Sequence, residues 1–184
     1  RDIRGKKMSK SHPETCINPL DMIEKYGTDA IRLSLVIGGT PGNDMRLYEE
    51  KIAAYRNFVN KIWNGARFVI TNLDAKDDKI DLKKLSRADK WILTRLNEII
   101  EKVSSQLESY QLSEAGLTIY DFFWGEYCDW YLEMSKVMKN TAVLKHELTT
   151  SLTLMHPFMP IVTEVIWSEL GEKMLISTDW PHPH

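Results

Sequence analysis

The chain has 184 residues, 43% hydrophobic and 27% charged, with a formal net charge of -2. That is the composition of one globular core, or of a small unit attached to a larger one. No stretch approaches the roughly 20 apolar residues of a spanning helix, so no membrane partner is expected, and the net charge of -2 argues against wholesale basic nucleic-acid binding, with no DNA partner expected. Cys16 and Cys128 are far apart and lack CxxC companions, which argues against a zinc knuckle or disulfide framework and suits the cytoplasm. The N-terminus has no apolar h-region behind its charges and no initiating Met, and it reads as the cut end of a longer protein.

In chain order, residues 1–18 mix charges, small polar residues and one Pro without periodicity, the pattern of an extended segment and a loop. The first ten residues carry five basic groups against one acid, so positive charge is concentrated there. Asn18-Pro19-Leu20-Asp21 supplies an N-cap, a proline at the first helical position and an acid in the first turn, and Gly27 supplies a left-handed stop, giving a helix over 19–26. A second helix is predicted over 30–37, ending at Gly38-Gly39.

From 48 to 73 the apolar residues Ile52, Tyr55, Val59, Ile62, Ala66, Val69 and Leu73 recur at steps of three and four and define one face of a long helix. The opposite face carries Asn57, Asn60, Lys61, Asn64 and Thr71, an amide stripe without the alternating Glu and Lys of a merely solvated helix. A polar spacer over 74–84 precedes a helix capped at Ser86 and ending near residue 110. A single helix is predicted over 113–139, aromatic on nearly every face and therefore central. Shorter helices follow over 142–155 and 161–170, separated by Pro157 and Pro160. The fold class is mainly α, an antiparallel helical bundle.

The chemistry is concentrated in Lys7-Met8-Ser9-Lys10-Ser11. This string follows a glycine, lies in a basic loop and precedes a capped helix, and it resembles the signature loop of the class I aminoacyl-tRNA synthetases. Residues 18–32 resemble the segment that links catalytic and helical domains in that class. Gly38 to Arg46, Arg56 to Phe68 with its Asn60-Lys61-Ile62-Trp63-Asn64 core, Cys128 to Glu133, and His156 to Glu164 resemble the valine-specific branch. The likeness spans essentially the whole chain. The isoleucine or leucine branch, or a free-standing helical RNA-binding module without catalysis, are the alternatives. The chain departs from the class pattern at His12-Pro13-Glu14-Thr15, where Leu-Gly-Asn usually follows the signature, and Pro removes a backbone donor there.

The resemblance implies that residues 1–47 are the end of a Rossmann-like catalytic domain and that residues 48–184 are a helical anticodon-binding domain. It implies ATP as substrate, with Mg2+ accompanying it, and Lys7 and Lys10 as catalytic residues within an ATP and pyrophosphate loop of Lys7, Met8, Ser9, Lys10 and Ser11. The partners implied are valine, ATP and valine tRNA, and the enzyme would be a monomer. The fragment alone would be inactive. Single-stranded anticodon bases are held by amides, phosphate contacts and stacking, which makes Arg46, Arg56, Asn57, Asn60, Lys61, Asn64, Arg67 and Phe68 the expected tRNA contacts. Packing of Phe68 and some of the asparagines against a neighbouring helix is the competing reading. Glu126, Asp129 and Glu133 read as partners of neighbouring helices, and His146 and His156 as packing or capping residues. His182 and His184 read as a cut linker, and no metal site is expected.

Overall fold

The computed structural model describes residues 1–2, 4–9, 16–39, 42–73, 79–171 and 173–183. The regular structure among them is helical: α1 (Pro19–Tyr26), α2 (Thr28–Val36), α3 (Glu49–Asn72), α4 (Arg87–Glu108), α5 (Leu112–Asp121), α6 (Leu132–Ser135), α7 (Thr141–Met155) and α8 (Pro160–Glu169), with 3-10 turns at Leu82–Lys84 and Leu175–Ser177. Helix starts follow their caps. Asn18 Oδ1 accepts from Leu20 N at 3.1 Å with Pro19 beside it. Ser86 and Asp89 form a reciprocal capping box at α4. Gly27 sits at φ 85°, a conformation glycine adopts freely, and its N–H closes α1 on Ile23 O.

The helix predicted over 113–139 is not one α-helix. α5 runs without interruption into a π-helical stretch, Phe122–Tyr131, before α6 closes it at Ser135. Within that stretch Phe123, Tyr127 and Tyr131 recur every four residues and line its inner face. All three are buried with Phe122, and successive rings lie 5.3 and 6.2 Å apart.

The main core runs from Leu33 of α2 and Ile37 just after it through α3, α4, the π stretch and α7 to Ile166 and Trp167 of α8. A smaller cluster of Ala30, Ile31 and Ile52 lies beneath α1. Gly65 allows α3 to lie close against the π stretch, since a Cβ there would lie 3.2 Å from Cys128 Sγ.

Two sets of polar contacts fix α1 and α2 on the bundle. Asp29 accepts from Val162 N at 2.6 Å and Ile161 N at 3.3 Å, capping the first turn of α8 from 132 residues away, while Arg32 donates to the carbonyls of Pro157 and Phe158. At the other end Lys25 and the Tyr26 hydroxyl both bond Glu49 at the start of α3. Among the described residues no helix is long and apolar enough to cross a membrane.

Candidate functional site

The apolar stripe predicted for α3 faces inward. Ile52, Val59, Ile62, Ala66 and Val69 are buried, and Tyr55 pairs edge-on with Tyr120. Helical geometry then sends residues 56, 57, 60, 63, 64 and 67 outward. Arg56, Asn57, Asn60, Asn64 and Arg67 are all exposed, and none makes a side-chain hydrogen bond or ion pair to another described residue. An unpaired amide on a solvated helix presents one acceptor and two donors to an incoming ligand. This face therefore offers planar hydrogen-bonding edges flanked by two guanidinium groups.

Three predicted members stand apart. Lys61 Nζ lies 2.6 Å from Asp129 Oδ1 and 5.4 Å from the Trp124 ring, so its charge is shared with the π stretch. A phosphate reaching it competes with that carboxylate. Phe68 is half-buried and packs one side against the core. Arg46 is exposed but lies at the other end of α3, its guanidinium against Gly5, where a Cβ would meet Nη2 at 3.5 Å. The structure groups it with the N-terminal segment instead of with the amide stripe.

Sequence reading passed over Trp63. Its side chain is 44% exposed on the outer face, between Asn60 and Arg67, and it lines the seam between α3 and α8. Its place is legible in the helical period, which sets Trp63 about 70° from the centre of the apolar stripe, on its border, and Phe68 on the polar face.

The lysine loop is described only in part. Lys7 is exposed and Met8 and Ser9 are half-buried, while Lys10 and Ser11 lie outside the described residues. What precedes the loop is held to the start of α3: Leu47 N donates to Arg1 O at 2.9 Å, and an Asp2 turn gathers Gly5 and Lys6. The Arg1 guanidinium bonded to Asp44 holds that carboxyl below the usual carboxylate range, and the charge of Lys7 adds to the effect. Lys7 thus stands at the N-terminal end of α3. The Cys16 thiol donates to Ser9 O at 3.1 Å on the far side of the loop.

The remaining polar groups are structural. Glu126 takes both Arg95 Nε and Nη2, at 2.7 and 2.8 Å, Glu133 pairs with Lys136, and His156 Nδ1 is 2.8 Å from Thr163 Oγ1. Burial pushes the Cys128 thiol up to about 12, which makes it inert. Among the described residues no group of three or more His, Cys, Asp or Glu side chains could hold a metal ion.

Comparison with known proteins places this geometry. The family described as the anticodon-binding domain of tRNA ligase matches residues 89–184, and the family of class I tRNA synthetases (I, L, M and V) matches residues 1–48. The chain is 47% identical to the valine–tRNA ligase of Listeria innocua over 98% of its own length and 22% of the relative's. The corresponding ligases of Clostridium tetani and Pseudothermotoga lettingae are 45% and 47% identical with the same coverage. The chain spans about a fifth of the length of these curated relatives. Among solved structures, LeuRS of Agrobacterium radiobacter in a ternary complex with tRNA and LeuAMS superposes with a TM-score of 0.80 at 21% identity, covering 99% of this chain and 23% of that one. The methionyl-tRNA synthetase of Mycobacterium tuberculosis in complex with methionyl-adenylate gives 0.72 at 22% identity, covering 92% and 36%.

Proposed function

Because the chain belongs to the class I tRNA synthetases and carries the anticodon-binding domain of tRNA ligases, we propose that it is the segment of a valine–tRNA ligase that joins the ATP loop to the tRNA-reading bundle. The observation that carries this reading is the outer face of α3. Asn57, Asn60 and Asn64, flanked by Arg56 and Arg67, are displayed to solvent without a partner among the described residues. The valine–tRNA ligases that share 45–47% of its residues over 98% of the chain support the choice of amino acid.

In the full-length ligase a valine carboxylate oxygen attacks the α-phosphorus of ATP. A P–O bond forms to the valyl group, the bond to the β-phosphate oxygen breaks, and pyrophosphate departs with the added charge. Lys7 and Lys10 are the cations of this chain that meet that charge. A donor made only in the transition state is worth about 3 to 4 kcal/mol. Mg2+ travels with the nucleotide phosphates, as that ion usually does. The valyl group then passes to a hydroxyl at the tRNA end and AMP leaves, while residues 48–184 hold the tRNA at a distance from the chemistry. The division at residue 47 falls between the loop's anchor and α3. Its two cysteines are free, which suits a cytoplasmic enzyme.

The test is binding of the full-length ligase to a valine tRNA transcript, compared with transcripts altered at the second and third anticodon letters, at two salt concentrations. Preference for the intact anticodon is expected, with an affinity that falls as salt rises. Equal affinity for all transcripts rejects anticodon reading by this bundle. Pyrophosphate exchange that is unchanged in Lys10→Ala rejects the catalytic role of the loop.

A further inference from the structure

Trp63 divides the seam between α3 and α8 into two clefts. The first, about 360 Å3, is bounded by the α1–α2 turn at Gly27 and Thr28, by Arg56 and Asn60 of α3, and by Val165 of α8. The second, about 250 Å3, lies toward the C-terminal end of α3, among Arg67, Ile70 and Thr71 and, from α8, Ile166 and Glu169. The indole lines both. The first lies near the lower bound of the roughly 300–1,000 Å3 usual for small-molecule sites and the second just below it, a scale that suits one flat ring system each.

Two other tryptophans spend their N–H groups internally, Trp167 on Lys173 O and Trp180 on Ser104 Oγ, whereas the N–H groups of Trp91, Trp124 and Trp130 have no acceptor among the described residues. The Trp63 N–H has no acceptor among the described residues. Each cleft combines an apolar wall from α8 with hydrogen-bonding groups and one arginine at its rim. Arg56 and Arg67 have no acidic partner among the described residues, and Asp29, the carboxylate that lines the first cleft, is spent on the backbone of α8, so each guanidinium group remains available to an anion. They are eleven residues apart, about 16 Å along the helix, a separation that suits a short splayed length of strand better than a single nucleotide. Glu169 is the one carboxylate at the second cleft, and it is placed to accept from an exocyclic amine of a base.

We propose that Trp63 is a two-sided stacking platform that receives one unstacked tRNA base in each flanking cleft, with Arg56 and Arg67 meeting the phosphates on either side. The proposal rests on the tRNA-ligase reading and adds to the amide stripe a second, deeper contact. Aromatic stacking tolerates any base, so this contact supplies affinity while the asparagines supply discrimination.

The experiment measures binding of a valine tRNA transcript to the full-length ligase and its Trp63→Ala, Trp63→Phe, Asn64→Ala and Trp130→Ala variants, with a melting curve for each. Trp63→Ala is expected to weaken binding about 10- to 100-fold, and Trp63→Phe to recover most of that at an equal melting temperature. Trp130, 64% exposed on the π stretch, serves as a control whose loss changes affinity less than twofold. The tryptophan fluorescence quenched by tRNA in the wild type should be reduced in Trp63→Phe. If Trp63→Ala binds within twofold of wild type while Asn64→Ala binds more weakly, the platform is refuted and the tRNA reading stands. If none of the α3 variants changes binding, both fail.

Discussion

Glu147 is the residue whose environment most contradicts its chemistry. It is 0% exposed on α7, and neither carboxylate oxygen has a hydrogen-bond partner among the described residues. The Tyr127 hydroxyl nearby donates to Leu144 O instead, and Ser151 Oγ, one turn along, is also unpartnered. Burial pushes the Glu147 carboxyl well above the carboxylate range, so the folded chain keeps a proton that the unfolded chain releases near pH 4.5. The folded pKa is the raised one, hence the stability it contributes is complete below the unfolded pKa and is lost as pH rises toward the folded value. The loss is about 1.4 kcal/mol per pH unit inside that window. Glu147→Gln keeps the neutral shape without the titration. Its melting temperature should be close to that of the wild type at pH 4.5 and should exceed it by a margin that widens as pH rises above that value. A margin independent of pH would show that Glu147 is ionised in the fold.

At the scale of elements, one carboxylate joins three of them. Asp89 closes the capping box of α4 on Ser86 N at 2.9 Å, and it accepts from the Tyr131 hydroxyl at 2.6 Å and from Asn140 Nδ2 at 3.2 Å, the last being the residue that caps α7. The starts of α4 and α7 and the end of the π stretch therefore meet at one buried side chain. Asp89→Ala strands the Tyr131 hydroxyl and a cap donor, at a cost of about 3 kcal/mol. That corresponds to a fall of about 6–12 °C in melting temperature for a chain of this size. Asp89→Asn, which retains an acceptor, should lose less than half as much, and an equal loss in both variants would point to packing instead of hydrogen bonding. The local half of this arrangement was legible in the sequence, because Ser86, Asn18 and Gly27 act within a turn of themselves. The distant half was not. Nothing near Asp89 announces Tyr131, and nothing near Asp29 announces the start of α8. The widened π turn was equally hidden, since a run of aromatics at steps of four and one fits an α-helix buried on all sides. For the candidate site, the exposed asparagines and arginines of α3 were readable from period alone, whereas the standing of Trp63 depended on where α8 would pack.

For the whole molecule, α3 connects the segment that carries Lys7 to the exposed amide face. Its 24 residues span about 36 Å. Its start is clamped by the Lys25, Tyr26 and Glu49 contacts and by Lys51 Nζ donating to Ile37 O at 2.7 Å, next to the segment that carries Lys7. Arg67 lies 18 residues beyond Glu49, about 27 Å along the helix. The helix between them is packed along its whole inner face and holds no proline, so it acts as a fixed spacer between its two ends. Independent ends make a quantitative demand. In the full-length ligase, Lys7→Ala should lower kcat/KM for aminoacylation by slowing adenylate formation, and Arg67→Ala should lower it through tRNA affinity, with a salt dependence reduced by about one counterion. The double variant should show the product of the two losses, to within about 0.5 kcal/mol, as expected for residues far apart without shared partners. A double variant no worse than the weaker single one would mean that tRNA binding at the far end positions the loop, and α3 would then be a transmitting element instead of a spacer.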